Sequence, residues 1–451
     1  MKYLKFMSVL LLVAILLSAC GPAATQLVPT AQTIIQTQVV PVVQTQVKEV
    51  VTTQIVEVPA KQTTVRLSGW ASSPAETALL QSLLYQFTVA NPDIIVKYEP
   101  ITGDYQQAML TAIASGTEPD VFYVDIAYFQ VWAGKGVLLP LDDLMASTNT
   151  TKDLFVPSLI DAFTFDGKVY GIPKDFNTLG LFYNMDLFDK AGVAYPTDSW
   201  TWKDLTDAAT KLTDLKDPNK PVYGFCDPPD AGRFPVFVFQ AGGQIMNSDF
   251  TDTELDAQPA IDAATYYTDF RKNKSGALPA DLGEGWQGTV FGKGQCAMVY
   301  EGGWLIPYMT STFPGVKYGV ARLPAGVQKG NMIFTVSWSI SANTKVADAA
   351  WKVVEFLTNE ASQTTVLTSG FALPTRASLQ NNDYFKTNAN SLAIFNGAFD
   401  NAVPFYWGPA GNDVNTAMGD ALNRIYLQNV APADTMKEAA TAVRAAIAAL
   451  K

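Results

Sequence analysis

The sequence predicts an α/β fold, because short strand-like runs alternate with helical patterns from residue 64 onward. Three strands are predicted in the first part of this region, at residues 64–68, 94–98 and 121–124. Helices that begin near Ser73 and Asp104 separate these strands. A succession of strand, helix and strand in one sheet implies right-handed crossovers and parallel strands. Ligands of such sheets bind beyond the carboxyl ends of the strands, where Trp70 and Asp125 lie in this sequence.

The first of these helices has clear boundaries in the sequence. Ser73 and Glu76 have the spacing of a capping box, and Pro74 occupies the first helical position. Apolar residues then recur at helical spacing, at Leu79, Leu80, Leu83, Leu84 and Phe87. The pair Asn91-Pro92 ends the helix, because the residue before a proline disfavours the α conformation.

The alternation returns later in the chain, which predicts a second α/β unit joined to the first by several crossing strands. Further strands are predicted at residues 223–226, 296–300, 318–323 and 336–340. Helices are predicted from Phe234 onward and at residues 347–357, 361–368, 414–427 and 432–450. Glu301 and Trp304 directly follow one of these strands, which places a carboxylate and an indole at a strand end.

The composition excludes several classes of function. Of the 451 residues, 48% are hydrophobic and 16% are charged, as in a globular protein of two or three domains. The formal net charge of −11 argues against nucleic acids and anionic membranes as partners, since both need a basic face. The chain has no histidine, which excludes catalysis by imidazole and histidine-ligated metals.

The three cysteines leave one structural question open. Cys20 belongs to an N-terminal export motif, whereas Cys226 and Cys296 form either one disulfide or two buried free thiols. The sequence contains no C-x-x-C motif and no cluster of cysteine with histidine. We therefore expect neither a metal site nor a cofactor.

The N-terminus has the pattern of a lipoprotein signal peptide, predicted at residues 1–19. Lys2 and Lys5 precede a short apolar run that ends in Leu17-Ser18-Ala19-Cys20. These four residues resemble the bacterial lipobox, in which the cysteine is diacylated and the peptide is cut before it. We therefore expect lipid on Cys20 and an extracytoplasmic protein anchored to the cell membrane.

Residues 20–63 are predicted to form an extended tether between the lipid and the folded region. Threonine, glutamine and valine recur along this segment, and four prolines interrupt it. Because β-branched residues are also frequent in strands, a strand region is the alternative.

Eight short segments follow one another along the folded region in a recognisable order. They are NPDI at 91–94, ASGTEPDV at 114–121, LLPL at 138–141, DGKVYGIP at 166–173, FYNMDLF at 182–188, FGKGQCAM at 291–298, YGV with LP at 318–324, and LPTR at 373–376. In this order they resemble bacterial extracellular solute-binding proteins of the maltose-binding type, which serve ABC sugar importers. Cys296 departs from the family pattern, which usually has a small aliphatic residue there.

The resemblance implies a two-lobed periplasmic-binding-protein fold, similar to type II, with the ligand cleft at a multi-strand hinge. The first lobe would comprise residues 64–175 and 322–371, and the second lobe residues 176–321 and 372–451. A ligand that touches both lobes shifts the population toward the closed state. The function implied is capture of a mono- or oligosaccharide by a monomer, which delivers it to a membrane permease without catalysis.

Aromatic and polar residues near predicted strand ends and loops are the candidates for contacting a sugar, which offers both apolar faces and hydroxyls. The candidates are Trp70, Tyr105, Gln106, Asp125, Phe176, Asn177, Arg233, Trp286, Glu301, Trp304, Trp338, Arg376, Tyr406 and Trp407. Several have structural alternatives: Asp125 could cap a helix, Arg233 could form a surface salt bridge, and Arg376 could form a hinge ion pair.

Three other functions are compatible with these residues. A binding protein for another polar solute, such as a polyol phosphate, a polyamine or a peptide, is one, although the sequence has no evident phosphate-binding glycine-rich loop. A glycoside hydrolase is another, since carboxylates and aromatic rings also line the cleft of such enzymes. A purely structural lipoprotein is the third, but it would have no need of tryptophans at so many strand ends.

Overall fold

The structure is a computed structural model that describes residues 62–71 and 73–450. The predicted signal peptide, the acylation of Cys20 and nearly all of the predicted tether lie outside these residues. Within the described part of the chain, no helix is both long and apolar enough to cross a bilayer. The folded unit begins at Thr63.

Strands and helices alternate along the chain, as predicted. The strands are β1 (Thr63–Ser68), β2 (Ile94–Tyr98), β3 (Val121–Asp125), β4 (Thr164–Phe165), β5 (Lys168–Val169), β6 (Gly171–Asn184), β7 (Tyr223–Phe225), β8 (Cys296–Gly302), β9 (Tyr318–Ala321), β10 (Asn331–Ile340) and β11 (Ala402–Pro404). The α-helices are α1 (Pro74–Ala90), α2 (Tyr105–Ser115), α3 (Ile126–Gly134), α4 (Asp142–Ser147), α5 (Pro157–Ala162), α6 (Met185–Ala191), α7 (Trp202–Leu212), α8 (Phe234–Gln240), α9 (Gln258–Lys272), α10 (Gln287–Gly292), α11 (Leu305–Thr312), α12 (Ala347–Thr358), α13 (Glu360–Thr368), α14 (Tyr384–Thr387), α15 (Ala389–Gly397), α16 (Gly411–Gln428) and α17 (Pro432–Ala449).

Nine strands form one sheet, in which β1 is parallel to β2 and β3, as predicted. The strand order is β2-β1-β3-β10-β6-β8-β7, with β9 paired to β6 and β11 paired to β10. β10 is antiparallel to both β3 and β6. β6 and β10 pair from Ile333 opposite Thr178 to Ser339 opposite Gly171. These two long strands therefore run side by side through the middle of the sheet.

Buried side chains form two large cores on either side of the paired strands β6 and β10. The first core lies around β1–β3 with α1, α3 and α12, and the second lies around β7 and β8 with α7–α9, α16 and α17. β6 contributes Ile172 to the first core and Leu181 to the second. β10 contributes Met332 to the second core and Ile340 to the first. Both strands thus cross from one core to the other.

The lobe boundaries stay a prediction, which this packing supports with one adjustment. Leu323 and Met332 pack in the second core, although the sequence analysis places residues 322–371 in the first lobe. Val336 is the first hydrophobic residue of β10 in the first core. We therefore propose that the chain re-enters the first lobe near Val336 rather than at Arg322.

Cys226 and Cys296 are joined as a disulfide, with their Cα atoms 6.0 Å apart. Cys226 directly follows β7 and Cys296 begins β8, and these two strands are parallel neighbours. Both cysteines are fully buried. Of the two alternatives that the sequence left open, the structure therefore has the disulfide.

Side-chain caps fix the starts of two helices that follow first-lobe strands. Ser73 Oγ accepts a hydrogen bond from the Glu76 amide at 3.1 Å, which begins α1 as the sequence predicts. Asp125 Oδ1 accepts one from the Ala127 amide at 2.8 Å, which begins α3. Both capping residues lie at the edge of the sheet where the carboxyl ends of β1 and β3 point.

Candidate ligand-binding site

A cavity of about 390 Å³ lies where β6 and β10 cross between the two cores. The crossing strands supply half of its lining: Lys174, Asp175 and Asn177 from β6, and Phe334, Thr335 and Val336 from β10. Asp125, the last residue of β3, also lines it, and the other lining residues come from segments outside the strands and helices: Trp70, Ser73, Trp286, Trp304 and Phe371. Three indoles therefore share one cavity with a small number of polar groups.

The Glu301 carboxylate, at the end of β8, holds two of these indoles. Its Oε1 accepts hydrogen bonds from Trp286 Nε1 at 2.6 Å and from Arg233 Nη2 at 2.9 Å. Its Oε2 accepts from Trp304 Nε1 at 2.5 Å and from the Gly302 amide at 3.2 Å. Glu301 is fully buried and does not line the cavity, so it positions the two indoles from the protein side.

Arg233 compensates the buried charge of Glu301. Its guanidinium lies 5.9 Å from the ring centroid of Trp304, within reach of a cation–π interaction. Burial lowers the pKa of Arg233, but Glu301, Asp230 and Asp227 raise it by more, so the net pKa is above the usual value. Burial raises the pKa of Asp227 and of Asp230. The arginine therefore stays charged beside the carboxylate that holds the two indoles.

Two tyrosines of the first core support Trp70. Its ring packs edge-on against Tyr105 at 5.4 Å and against Tyr123 at 4.9 Å between ring centroids. The Tyr105 hydroxyl donates to the Tyr123 carbonyl at 2.9 Å, which fixes the pair. A Cβ at Gly69 would lie 2.4 Å from the Tyr123 ring, so only glycine allows this approach. Tyr105 thus contributes to the site by fixing Trp70.

Asp125 caps α3, which is its structural alternative, and it also lines the cavity. Its Oδ1 accepts from the Ala127 amide, and no other hydrogen bond to its carboxylate is found among the described residues. Burial raises the pKa of Asp125 to about 6. Its second oxygen is available to a ligand hydroxyl.

Lys174 brings a positive charge to the cavity, but acidic neighbours surround it. Its ammonium group pairs with the Asp175 carboxylate and lies 3.7 Å from the Glu76 carboxylate. It also lies 4.8 Å from the ring centroid of Tyr123 and 5.3 Å from that of Phe371. With two carboxylates around one ammonium group, this wall carries no excess positive charge.

Asn177 braces the turn that presents Trp304. Its Oδ1 accepts from the Gly303 amide at 3.1 Å, and its Nδ2 donates to the Phe371 carbonyl at 3.5 Å. Gly303 directly precedes Trp304 in the chain. The crossing strand β6 therefore connects the positions of Trp304 and Phe371, which line the cavity on different elements.

The structure brings five of the predicted residues together on this cavity: Trp70, Asp125, Asn177, Trp286 and Trp304. Three more, Tyr105, Arg233 and Glu301, contact lining residues from outside the cavity. Phe176 is buried in a smaller third core beside β6 and β8, because its side chain points away from that of Asn177 along the strand.

Trp338 and Arg376 lie away from the cavity. Trp338 is only 1% exposed and packs in the first core, 4.5 Å from Tyr123 between ring centroids. Arg376 Nε donates to the Thr358 carbonyl at 2.6 Å, and its guanidinium lies 4.4 Å from the Phe155 ring centroid. Among the described residues, Arg376 forms neither the hinge ion pair nor the cavity contact considered for it.

Gln106, Tyr406 and Trp407 are the remaining predicted site residues that do not line this cavity. Gln106 is the second residue of α2 and is absent from the lining of the cavity. Tyr406 and Trp407 line a different cavity, beside the loop that follows β11.

Seven lining residues were not among the candidates from the sequence: Ser73, Lys174, Asp175, Phe334, Thr335, Val336 and Phe371. Strand alternation gives one indication, since Asp175 lies two residues before the predicted Asn177 and therefore shares its face. Phe334 and Val336 could be identified only once β10 was known to cross the middle of the molecule.

The chain matches a known protein family and several related sequences. Residues 70–364 match the bacterial extracellular solute-binding protein family. A binding protein of Brucella abortus (strain 2308) is 28% identical over 363 residues, covering 78% of this chain and 86% of that protein. The galactooligosaccharide-binding protein of Bacillus subtilis (strain 168) is 24% identical over 351 residues, covering 74% of this chain and 78% of that protein.

The fold matches that of a solved structure. The ABC substrate-binding protein of Listeria monocytogenes in complex with cycloalternan has a TM-score of 0.77 at 29% identity, and the match covers 85% of this chain and 99% of that chain. The α/β class and the two-lobed fold predicted from the sequence are thereby confirmed. The family match spans both crossing strands and every cavity residue except Phe371. The chain belongs to the bacterial extracellular solute-binding protein family.

Proposed function

We propose that the protein captures a neutral mono- or oligosaccharide in the cavity between its lobes and delivers it to the permease of an ABC importer. The observation that carries this proposal is the convergence of Trp70, Trp286 and Trp304 on one cavity. Sugars present apolar C–H faces that pack on aromatic rings, beside hydroxyls that need a few well-placed polar partners. The relatives named for galactooligosaccharides and bound to cycloalternan support the sugar class.

Polar groups for the hydroxyls come from both the first lobe and the crossing strands. Asp125 offers a carboxylate oxygen without a protein partner among the described residues, and Lys174 and Asp175 line the β6 wall. Carboxylates and ammonium groups form charge-assisted hydrogen bonds that are about twice as strong as neutral ones. A ligand that contacts both lobes would favour the closed arrangement, which is the form a permease would recognise.

The charges around the cavity disfavour a phosphate-bearing ligand. Lys174 is the one cation among the described lining residues, and Asp175 and Glu76 already compensate it. Arg233 is likewise paired with Glu301, behind the indoles. A phosphate would have to compete with these carboxylates for either cation, so a neutral solute fits the site better than a polyol phosphate.

Binding without catalysis is the second part of the proposal. A glycoside hydrolase needs two carboxyl groups that flank the scissile bond, one of them with a raised pKa. Asp125 and Asp175 both line the cavity, so this alternative needs an experiment of its own. The relatives are named as binding proteins, which supports binding. Release of reducing ends from oligosaccharides by the purified protein would favour the hydrolase instead.

Membership of an extracellular solute-binding family makes the protein extracytoplasmic. We further propose that a lipid on Cys20 anchors it to the cell membrane as a monomer, because residues 17–20 resemble a lipobox. Such an anchor would keep the binding lobes close to the permease that they serve.

A ligand screen followed by calorimetry tests the proposal. Maltotriose, a galactooligosaccharide and α-D-tagatose are suitable first probes, with glycerophosphocholine, a zwitterion that carries a phosphodiester, as the phosphate-bearing comparison. A true ligand at a hundredfold excess over its Kd should stabilise the folded state by about 2.7 kcal/mol and raise Tm accordingly. If no neutral sugar raises Tm or releases heat on titration, the sugar proposal is wrong.

The Trp304→Ala variant tests whether the sugar binds in the first cavity. Its removal should weaken sugar binding by about 1–4 kcal/mol in titration calorimetry, as for central aromatic anchors. Trp200→Ala is the matched control, because Trp200 stacks on Phe188 in the second lobe and does not line the cavity. Equal affinities for the Trp304 variant and the wild type would remove this indole from the site.

A further inference from the structure

A second cavity, of about 350 Å³, lies in the second lobe and shares no lining residue with the first. Its wall comprises the end of α8 with the turn that follows it, Gln328, and residues on both sides of β11. Tyr406 and Trp407 belong to this wall, although the sequence analysis groups them with the candidates for the first site. The second cavity therefore explains two candidates that the first does not use.

The chemical character of this second cavity differs from that of the first. Its lining, all from described residues, contains no charged side chain. Polar groups come from amides and hydroxyls: Gln244, Asn247, Ser248, Gln328, Asn401 and Tyr406. Aromatic and aliphatic faces lie beside them: Phe239, Phe250, Trp407, Ile245, Met246 and Val403. By contrast, the first cavity includes Asp125, Lys174 and Asp175.

Several of these polar groups are available to a ligand. The Gln244 amide and the Tyr406 hydroxyl form no hydrogen bond with other described residues, whereas Gln328 Nε2 donates to the Phe239 carbonyl at 2.8 Å. Asn401 Nδ2 donates to the Lys329 carbonyl at 3.1 Å. The carbonyl oxygens of both these amides remain free among the described residues. Burial raises the pKa of Tyr406 to about 12, so its hydroxyl remains a donor at neutral pH.

The wall of the second cavity combines an unusual backbone conformation with close contacts. Phe250 has a φ value of 57°, in the left-handed region that bulky residues rarely adopt, whereas Asn401, with a φ value of 50°, is of a type that adopts this region more readily. The Phe250 ring packs edge-on against Tyr406 at 5.0 Å between centroids. A Cβ at Gly408 would lie 2.4 Å from the Cβ of Phe250, so the turn and the loop contact each other tightly. Strained residues of this kind cluster at ligand-binding positions.

We propose that this cavity is a second binding site, for a small neutral polyhydroxylated molecule such as a free sugar or a sugar alcohol. Side-chain amides both donate and accept hydrogen bonds, which suits an array of hydroxyls. The rings of Phe250 and Tyr406 suit the C–H faces of such a molecule. An ion would be desolvated here without an opposite charge, which disfavours charged ligands. The proposal is independent of what the first cavity binds.

Saturation-transfer NMR with D-glucose, D-mannitol and the anion D-gluconate tests the proposal. The background is the double variant Trp70→Ala, Trp304→Ala, which removes two indoles from the first cavity. In this background Ser248→Trp fills the second cavity from its exposed rim, and Gln244→Ala removes an exposed amide with little risk to folding. Thr441→Trp is the control, since Thr441 is exposed on α17 and lines neither cavity.

Glucose or mannitol should show saturation transfer in the background variant and in the Thr441→Trp control. Ser248→Trp should abolish this transfer and Gln244→Ala should reduce it at least severalfold, while gluconate should show none. Two results would overturn the proposal: no transfer from either neutral probe, or transfer that both second-cavity variants leave unchanged. Transfer from gluconate equal to that from glucose would contradict the neutral ligand class. Because every arm is measured with the first cavity impaired, failure here says nothing about the proposed function of the first cavity.

Discussion

Replacing Glu301 with Gln should loosen two walls of the first cavity without removing a ligand contact. The carboxylate accepts hydrogen bonds from Trp286, Trp304, Arg233 and the Gly302 amide, yet it does not line the cavity. A carboxamide has the same shape but only one acceptor oxygen and two donor hydrogens. At least one indole N–H would then face another donor.

The magnitude follows from the two groups that lose their partner. An indole N–H left unsatisfied in a buried site costs about 1–3 kcal/mol. Removing the charge opposite the buried Arg233, whose side chain is 13% exposed, costs about 3–5 kcal/mol. Asp227 and Asp230 remain near the guanidinium and reduce that cost. We expect the free energy of unfolding to fall by about 3–5 kcal/mol and sugar affinity to fall at least about tenfold.

Urea unfolding followed by tryptophan fluorescence measures the stability change, and titration calorimetry measures the affinity. Glu438→Gln is the matched control, because Glu438 pairs with Arg424 on the surface and should change neither quantity measurably. If Glu301→Gln left both quantities at wild-type values, the carboxylate would not be holding the indoles. A loss of stability with unchanged affinity would mean that these indoles are not the sugar platforms.

Three further predictions concern other parts of the chain. Replacing Cys226 and Cys296 with Ala should reduce the free energy of unfolding by about 2–5 kcal/mol in urea, because the disulfide links residues 70 apart in sequence. The pKa of Asp125 is raised to about 6 in the folded state. Its ionisation should therefore reduce the free energy of unfolding as pH rises from about 4 through 6. The Asp125→Asn variant should show a flatter dependence of Tm on pH in this range. Cys20→Ser should move the protein from the membrane fraction to the soluble extracytoplasmic fraction, which cell fractionation would show.

Local chemistry made much of the first lobe predictable. The capping residues Ser73 and Asp104 and the helix-ending Gly116 mark the helix boundaries directly. The apolar strands between these helices are short and parallel, so their order follows from right-handed crossovers. β6 was harder to predict, because a strand of 14 residues that is buried along nearly its whole length shows little alternation.

The site was predictable where it depends on strand ends and unpredictable where it depends on long-range geometry. Trp70, Asp125 and Trp304 follow strands, and the carboxyl ends of neighbouring strands meet at one edge of a sheet. Trp338 misled the prediction because β10 leaves the cavity after Val336 and enters the first core. Where a crossing strand becomes buried depends on its partners, which a single sequence does not show.

The role of Glu301 also depends on long-range contacts that a single sequence does not show. Its position at the end of a strand made Glu301 a candidate ligand contact, but burial decides whether a carboxylate contacts a ligand or a protein group. Here Trp286, Arg233 and Trp304 take its hydrogen-bonding capacity, and these three come from separate segments of the chain. Such a convergence could not be read from the spacing of the residues.

The backbone pairing of β6 with β10 constrains how the molecule can work mechanically. Because β6 and β10 are hydrogen-bonded to each other, they connect the two cores as a paired two-stranded segment and not as two independent chain segments. Two paired strands can twist and bend together, but they resist sliding past each other, since such a shear would break pairs such as Phe334 with Asn177. The register shift between Val336 and Ser337 offers a point where the paired segment can bend while the flanking pairs persist. The pairing therefore favours rotation of the two halves about this point over sliding of one half past the other.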